Sequence, residues 1–158
     1  MLPFLCTLAL LSPTPESPWQ PVGQARYRYL VFDVKEAELA CQGSVDVLEG
    51  PSRLTFRYLR AFQAKDLAQA TEGNLRRMKR LAGLEGPLKD WNARYPDVAK
   101  GDVLVLTRRP GQGVTLSHNG RNLGVVSSEP FARALLAIWL GPDSLDATFT
   151  ARLRGQRR

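Results

Sequence analysis

Residues 52–60 (SRLTFRYLR) alternate between polar and apolar side chains as far as Tyr58, and this pattern constrains the fold most. Successive side chains of a β-strand point to opposite faces, so the segment is predicted to be a strand with one apolar face. Leu54, Phe56 and Tyr58 share that face, while Arg53 and Arg57 lie on the other. A one-sided strand needs a second layer to cover its apolar side, which favours a sheet packed against helices.

The other segments fit the same architecture. Asn119-Gly120 is a strong hairpin signal between two short strands. Apolar residues recur at helical spacing in the segments after residue 64 and after Pro130. Strands are predicted at residues 24–34, 36–42, 52–60, 103–107, 114–117 and 122–126, and helices at 65–82, 86–94, 130–140 and 145–153. This order predicts an α+β fold, in which helices cover one face of a large, mainly antiparallel sheet.

The chain is predicted to be exported to the periplasm or secreted. Residues 2–11 (LPFLCTLALL) are uncharged and nearly all apolar. About ten such residues are too few to span a bilayer but suit the hydrophobic region of a signal peptide. We expect a signal peptide at residues 1–19, one domain at 20–155 and a basic tail at 156–158. The alternative is an N-terminal core strand, because no Lys or Arg precedes the apolar run.

The charge balance bears on the partners of the chain. Lys and Arg number 22 and Asp and Glu 15, a formal net charge of +7. This excess favours an anionic small molecule or an anionic membrane surface. Nucleic acid is not expected, since no aromatic stacking platform is visible and export would separate the two. One His and two isolated cysteines cannot build a metal site, and no phosphate- or dinucleotide-binding glycine motif is present, so we expect neither metal nor cofactor.

Five stretches of the chain follow one another in an order that is typical of a known family. Three lie in the second half of the chain: YPDVAKGDVLVL (95–106), HNGRNLG (118–124) and EPFARALLAIWLG (129–141). Two lie in the first half: VGQARYRYLVFDVKEAELA (22–40) and LTFRYLRAFQAKDL (54–67). Together they resemble the bacterial chalcone isomerase-like proteins, over about residues 20–155. The resemblance implies an open-faced β-sandwich with a cleft between the sheet and the helices, in a superfamily of isomerases, fatty-acid-binding proteins and non-catalytic members.

The resemblance also bears on catalysis. True isomerases use a cation and Thr and Tyr hydroxyl groups to close a flavanone ring. Arg26, or its competitor Arg28, corresponds to the family arginine, and Asn74 to the helix asparagine. The threonine position is occupied by Asp33 and the tyrosine position by Leu67, so two hydroxyl groups are missing. The resemblance therefore implies a protein without chalcone isomerase activity.

Three functions remain open from the sequence. The first is binding of a fatty acid or another lipid-like anion, with Arg26 or Arg28 at the head group and Asp33 and Asn74 nearby. Its apolar slot would be lined by Phe56, Tyr58, Leu75 and Met78. The second is an intramolecular lyase or isomerase acting on an unknown substrate, with Asp33 and Arg26 as an acid–cation pair. The third is a membrane-surface or structural protein that has no ligand.

Overall fold

The computed structural model describes residues 17–43 and 46–156. Most of the predicted signal peptide and the last two residues of the basic tail lie outside these ranges. The strands are β1 (Gln20–Tyr29), β2 (Phe32–Cys41), β3 (Ser52–Tyr58), β4 (Val103–Arg109), β5 (Gly113–His118) and β6 (Arg121–Val126). The helices are α1 (Ala64–Arg77), α2 (Glu85–Asn92), α3 (Glu129–Leu140) and α4 (Ala147–Leu153).

The six strands form one sheet in sequence order, β1 to β6, and every neighbouring pair is antiparallel. Antiparallel neighbours can be joined by direct connections, as the sequence predicted, except that the chain passes through α1 and α2 between β3 and β4. The alternation in β3 is real, because Leu54, Phe56 and Tyr58 are all buried. The predicted α+β fold with helices packed on the sheet is therefore confirmed.

Helix α3 forms the centre of the helical layer. Nine of its twelve residues are buried, from Phe131 to Leu140 with the exception of Arg133. A helix that is apolar nearly all round must be covered on all sides, here by the sheet and the neighbouring helices. Ser128 begins it by accepting the backbone N–H of Phe131, and Pro130 occupies the first turn.

The prediction of one strand over residues 24–34 was wrong. The chain reverses at Leu30 and Val31, so that Tyr29 pairs with Phe32 across a two-residue turn. Leu30 has a φ of 55°, in the left-handed region that favours glycine. The turn was missed because its two central residues are strand formers with no Gly, Asn or Asp among them.

Helix α1 is shorter than predicted and ends at Arg77. Lys79 has a φ of 56°, and the backbone N–H of Arg80 donates to the carbonyl of Leu75, which closes the helix. In mid-helix, no atom lies within 4 Å of the position that a Cβ would take at Gly73, so no close contact within the described fold requires a glycine there.

Candidate functional site

An apolar cleft of about 220 Å³ lies between the first three strands and the helical layer. Strands β1 to β3 supply its floor, and α1, α3 and the segments beside them supply its walls. Most lining side chains are aromatic or aliphatic, with a few polar groups among them. The lining residues are Tyr27, Val34, Lys35, Tyr58, Phe62, Asp66, Leu67, Ala70, Thr71, Asn74, Tyr95, Ile138, Trp139 and Leu145. Such a surface suits an apolar ligand that carries one polar group.

Lys35 lies in the floor of the cleft at the centre of a row of three side chains. It pairs with Tyr27 on β1 and with Tyr58 on β3. Within β2 it is in phase with the buried residues Ala37 and Leu39, so the strand carries the lysine to the core face. Neither tyrosine hydroxyl makes a hydrogen bond to another described residue. The row therefore offers one ammonium and two phenol groups to a ligand.

The Lys35 ammonium is held among aromatic rings rather than beside a carboxylate. Its Nζ lies 4.0 Å from the ring centroid of Phe56, 5.1 Å from that of Trp139 and 5.5 Å from that of Tyr58. The residue is 8% exposed, and burial lowers the pKa of its amine to about 7. No carboxylate among the described residues forms an ion pair with it. An anion entering the cleft would supply the missing counter-charge.

Other polar groups of the cleft already have partners. The Thr71 hydroxyl donates to the carbonyl of Leu67 at 3.0 Å, which leaves the Tyr95 hydroxyl as the donor in the 2.7 Å bond to Thr71. The Asn74 side-chain amide donates to the carbonyl of Ala70 at 2.9 Å. The Asp66 carboxylate, which also lines the cleft, accepts the backbone N–H of Gln63 at 3.0 Å. These bonds hold the polar groups of α1 in the wall, whereas the floor row makes no such bonds and is open to the head group of a ligand.

The family of the chain follows from a match along most of its length. Residues 34–155 match the model of the chalcone isomerase-like family. This chain belongs to the chalcone isomerase-like family. An uncharacterized protein of Haemophilus influenzae is 27% identical over 157 residues, which cover 98% of this chain and 77% of that protein.

A solved structure shares the chalcone isomerase-like fold. A fatty-acid binding protein of Arabidopsis thaliana superposes with a TM-score of 0.71 at 15% sequence identity. The alignment covers 90% of this chain and 91% of the plant protein. The likeness therefore concerns the fold of most of the chain.

The predicted head-group arginines lie on the outer side of the β1–β2 hairpin. Arg26 forms ion pairs with Asp33 at 3.2 Å and with Glu36 at 2.7 Å, and Arg28 pairs with Asp33 at 2.7 Å. These contacts raise the pKa of Arg26, chiefly through the hydrogen bond to Glu36. Neither arginine lines the cleft beside Lys35. A role for Arg26, Arg28 or Asp33 in binding stays a prediction.

The remaining predicted site residues divide into two groups. Tyr58 and Asn74 line the cleft. Phe56, Leu75 and Met78 are buried in the core and do not line it, although Phe56 contacts the Lys35 ammonium from below. Their part in binding also stays a prediction.

Lys35 is the residue that sequence reasoning missed. Its signal was present, because Lys35 shares one face of β2 with the apolar residues Ala37, Leu39 and Cys41. A lysine in phase with core residues indicates a buried amine. The incorrect strand boundary hid this phase, since β2 was predicted to begin at residue 36.

Within residues 17–43 and 46–156, no three His, Cys, Asp or Glu side chains come together as metal ligands. Nor does any helix there combine the length and apolarity needed to cross a bilayer.

Proposed function

We propose that this chain is a non-catalytic protein that binds a fatty acid or another lipid-like anion in the sheet–helix cleft. The ligand's carboxylate meets Lys35, and its hydrocarbon chain lies against the apolar walls. The observation that carries the proposal is an amine buried in an apolar cleft with no carboxylate partner among the described residues. The fatty-acid binding described for the structurally similar plant protein supports the same class of ligand.

The electrostatics favour an anion over a neutral lipid. A carboxylate beside Lys35 would stabilise the ammonium that burial now disfavours, and so would raise its pKa again. The hydroxyl groups of Tyr27 and Tyr58 flank the lysine in the strand register and can donate to the same carboxylate. One charge-assisted hydrogen bond contributes about 1.5–3 kcal/mol.

The volume of the cleft limits the ligand. At about 220 Å³ it is smaller than the roughly 300–1,000 Å³ of pockets that enclose drug-sized molecules. We therefore expect a short- or medium-chain acid to fit inside, and a longer chain to extend through the open side. Decanoate is a suitable probe.

Binding of decanoate and decanol to the protein and to three variants tests the proposal. Lys35→Met should weaken decanoate binding about 10- to 100-fold and leave decanol binding nearly unchanged. The exposed Lys100→Met is the matched control and should change neither. Arg26→Gln examines the site predicted from the sequence. If Arg26→Gln loses decanoate while Lys35→Met keeps it, the head group belongs at the hairpin and this proposal is wrong.

A second measurement uses pH. Decanoate needs the protonated amine, and the pKa of Lys35 in the empty protein is about 7. The affinity for decanoate should therefore fall by about tenfold for each pH unit above about 7, while the affinity for decanol stays level. Calorimetry in buffers of different ionisation enthalpy should show proton uptake on binding near pH 8. Binding without proton uptake would contradict the role of Lys35.

Export is part of the same proposal, with residues 1–19 as the signal peptide. Amino-terminal sequencing of the protein recovered from an extracytoplasmic fraction should begin near residue 20. Recovery of the intact amino terminus from the cytosol would refute export and would leave ligand binding unaffected.

A further inference from the structure

The tip of the β1–β2 hairpin exposes four consecutive apolar residues. Tyr29 is 61% exposed, Leu30 80%, Val31 77% and Phe32 47%. In the part of the chain that the structure describes, only one other large hydrophobic side chain, Val125, is comparably exposed. Single exposed apolar residues are ordinary, whereas four together mark a surface that contacts something. We call residues 29–32 the hairpin tip.

Folding does not account for these side chains. Leu30 and Val31 project from a turn and add nothing to the core. Leu30 also adopts a φ of 55°, which a glycine or asparagine would adopt with less strain. A turn selected for stability alone would carry glycine or asparagine at this position. The apolar tip therefore points to a binding role.

Charge around the tip favours an anionic partner. The Arg60 guanidinium lies 4.2 Å above the ring of Phe32, and Arg26 and Arg28 lie on the strand that leads to the turn. Asp33 and Glu36 pair with those two arginines and balance their charge, so the net positive charge beside the tip comes from Arg60. Arg60 and the net charge of +7 would repel a second copy of this chain. An apolar wedge with a basic residue at its side, on a basic protein, matches an anionic bilayer surface.

The tip is also continuous with the mouth of the cleft. A shallow depression beside the tip is lined by Tyr29, Phe32, Val34, Arg60, Ala61 and Phe62. Val34 and Phe62 line the cleft as well. An unbroken apolar surface therefore runs from the exposed tip to the site that contains Lys35.

We propose that the hairpin tip inserts into the interfacial region of an anionic lipid bilayer, which turns the mouth of the cleft toward the membrane. Leu30 and Val31 enter the acyl boundary, and Arg60 meets the lipid phosphates. On this orientation an acid would pass between bilayer and cleft along the apolar surface, a step that rests on the proposed ligand-binding function. Docking itself does not depend on that function.

Flotation with lipid vesicles tests the docking. The full chain should float with phosphatidylcholine vesicles that contain 30% phosphatidylglycerol, and less with pure phosphatidylcholine or at 0.5 M salt. The double variant Leu30→Ser, Val31→Ser should bind about a hundredfold more weakly, about tenfold for each side chain removed from the acyl boundary. Val125→Ser is the control and should bind like wild type. The proposal is overturned if the double variant floats as well as wild type.

A local probe separates insertion from other contacts. The fluorescence of Leu30→Trp, after subtraction of the wild-type signal, should shift to the blue on anionic vesicles. An unshifted spectrum refutes insertion. Loss of a concentration-dependent dimer in the double variant, without vesicle binding by wild type, would instead identify the tip as a protein interface and would also refute the proposal.

Failure of docking and failure of ligand binding give different results. Lys35→Met should float normally but bind decanoate weakly. The double variant should bind soluble decanoate normally but take up a fluorescent fatty acid from vesicles at least about tenfold more slowly. A wild-type protein that floats but binds no acid would refute the proposed function and leave the docking intact.

Discussion

Replacement of Lys35 by methionine is expected to stabilise the protein while it weakens ligand binding. Burial lowers the pKa of the lysine from 10.5 to about 7. At about 1.4 kcal/mol per pH unit, this corresponds to a destabilisation of about 5 kcal/mol when the amine is charged in the unfolded state. The rings of Phe56, Trp139 and Tyr58 attract the ammonium and act against this cost, and a pKa of about 7 expresses the net effect. Methionine fills a similar volume without charge, so Lys35→Met should gain about 3–5 kcal/mol at pH 7.

The stability that Lys35→Met gains over wild type should decrease as the pH rises. Between about pH 7 and pH 10.5 the unfolded lysine carries a proton that the folded lysine does not, so the stability of wild type rises with pH across this window. The advantage of Lys35→Met is therefore largest at pH 7 and small at pH 10. Wild type and variant share every other titrating group, so their difference isolates Lys35.

Urea unfolding of the empty protein at several pH values measures this difference. For a slope of about 1–3 kcal/mol per molar urea, the lower figure of about 3 kcal/mol moves the midpoint by about 1–3 M. Lys100→Met, on the surface, should not move it. A loss of stability in Lys35→Met at pH 7, or a gain that is the same at pH 7 and pH 10, would refute the assignment of a buried, unpaired amine.

Three further predictions concern the scaffold. Gly73→Ala should raise the free energy of unfolding by about 0.5–1 kcal/mol, because the added methyl group meets no atom within 4 Å and alanine favours the helix; thermal unfolding measures it. Glu129→Gln should lower the free energy of unfolding, measured in urea, by about 2–3 kcal/mol, because it removes the counter-charge of buried Arg108. Burial opposes ionisation of Glu129, but the hydrogen bond and charge of Arg108 outweigh it and lower its pKa, so this stability should disappear as the pH falls through that pKa. The Asp102 carboxyl should titrate by NMR with a pKa of about 2, chiefly because it accepts the backbone N–H of Ala99; a value near 4 would contradict the hydrogen-bond arrangement.

The architecture could be predicted because its signals are local. The alternation in β3 and the Asn119-Gly120 turn depend only on neighbouring residues, and both occur in the structure as expected. Periodicity likewise located α3, whose Pro130 and Gly141 mark its ends. Chain order then left few ways to arrange hairpin-linked strands and helices in two layers.

The site was harder to predict, because it depends on which face each β2 residue occupies. A strand boundary placed at residue 36 rather than Phe32 left Lys35 out of the strand, while the family resemblance pointed to Arg26 and Asp33. The turn at Leu30 that sets the boundary has no glycine to reveal it. Periodicity within a strand shows which residues share a face. Whether a residue on that face is buried depends on contacts with distant segments such as Trp139.

Two buried cations in this fold show what the site requires. The Arg108 side chain is fully buried, but it is surrounded by acceptors, namely the carbonyls of Leu48 and Gly50 and the carboxylate of Glu129. Lys35 is buried as well, yet its amine lies among aromatic rings and forms no ion pair with a carboxylate in the described part of the fold. The same chain thus surrounds one buried cation with acceptors and leaves the other without an adjacent anion beside an open cleft. Since a buried charge is stabilised only by such a partner, the contrast supports the proposed anionic ligand at Lys35.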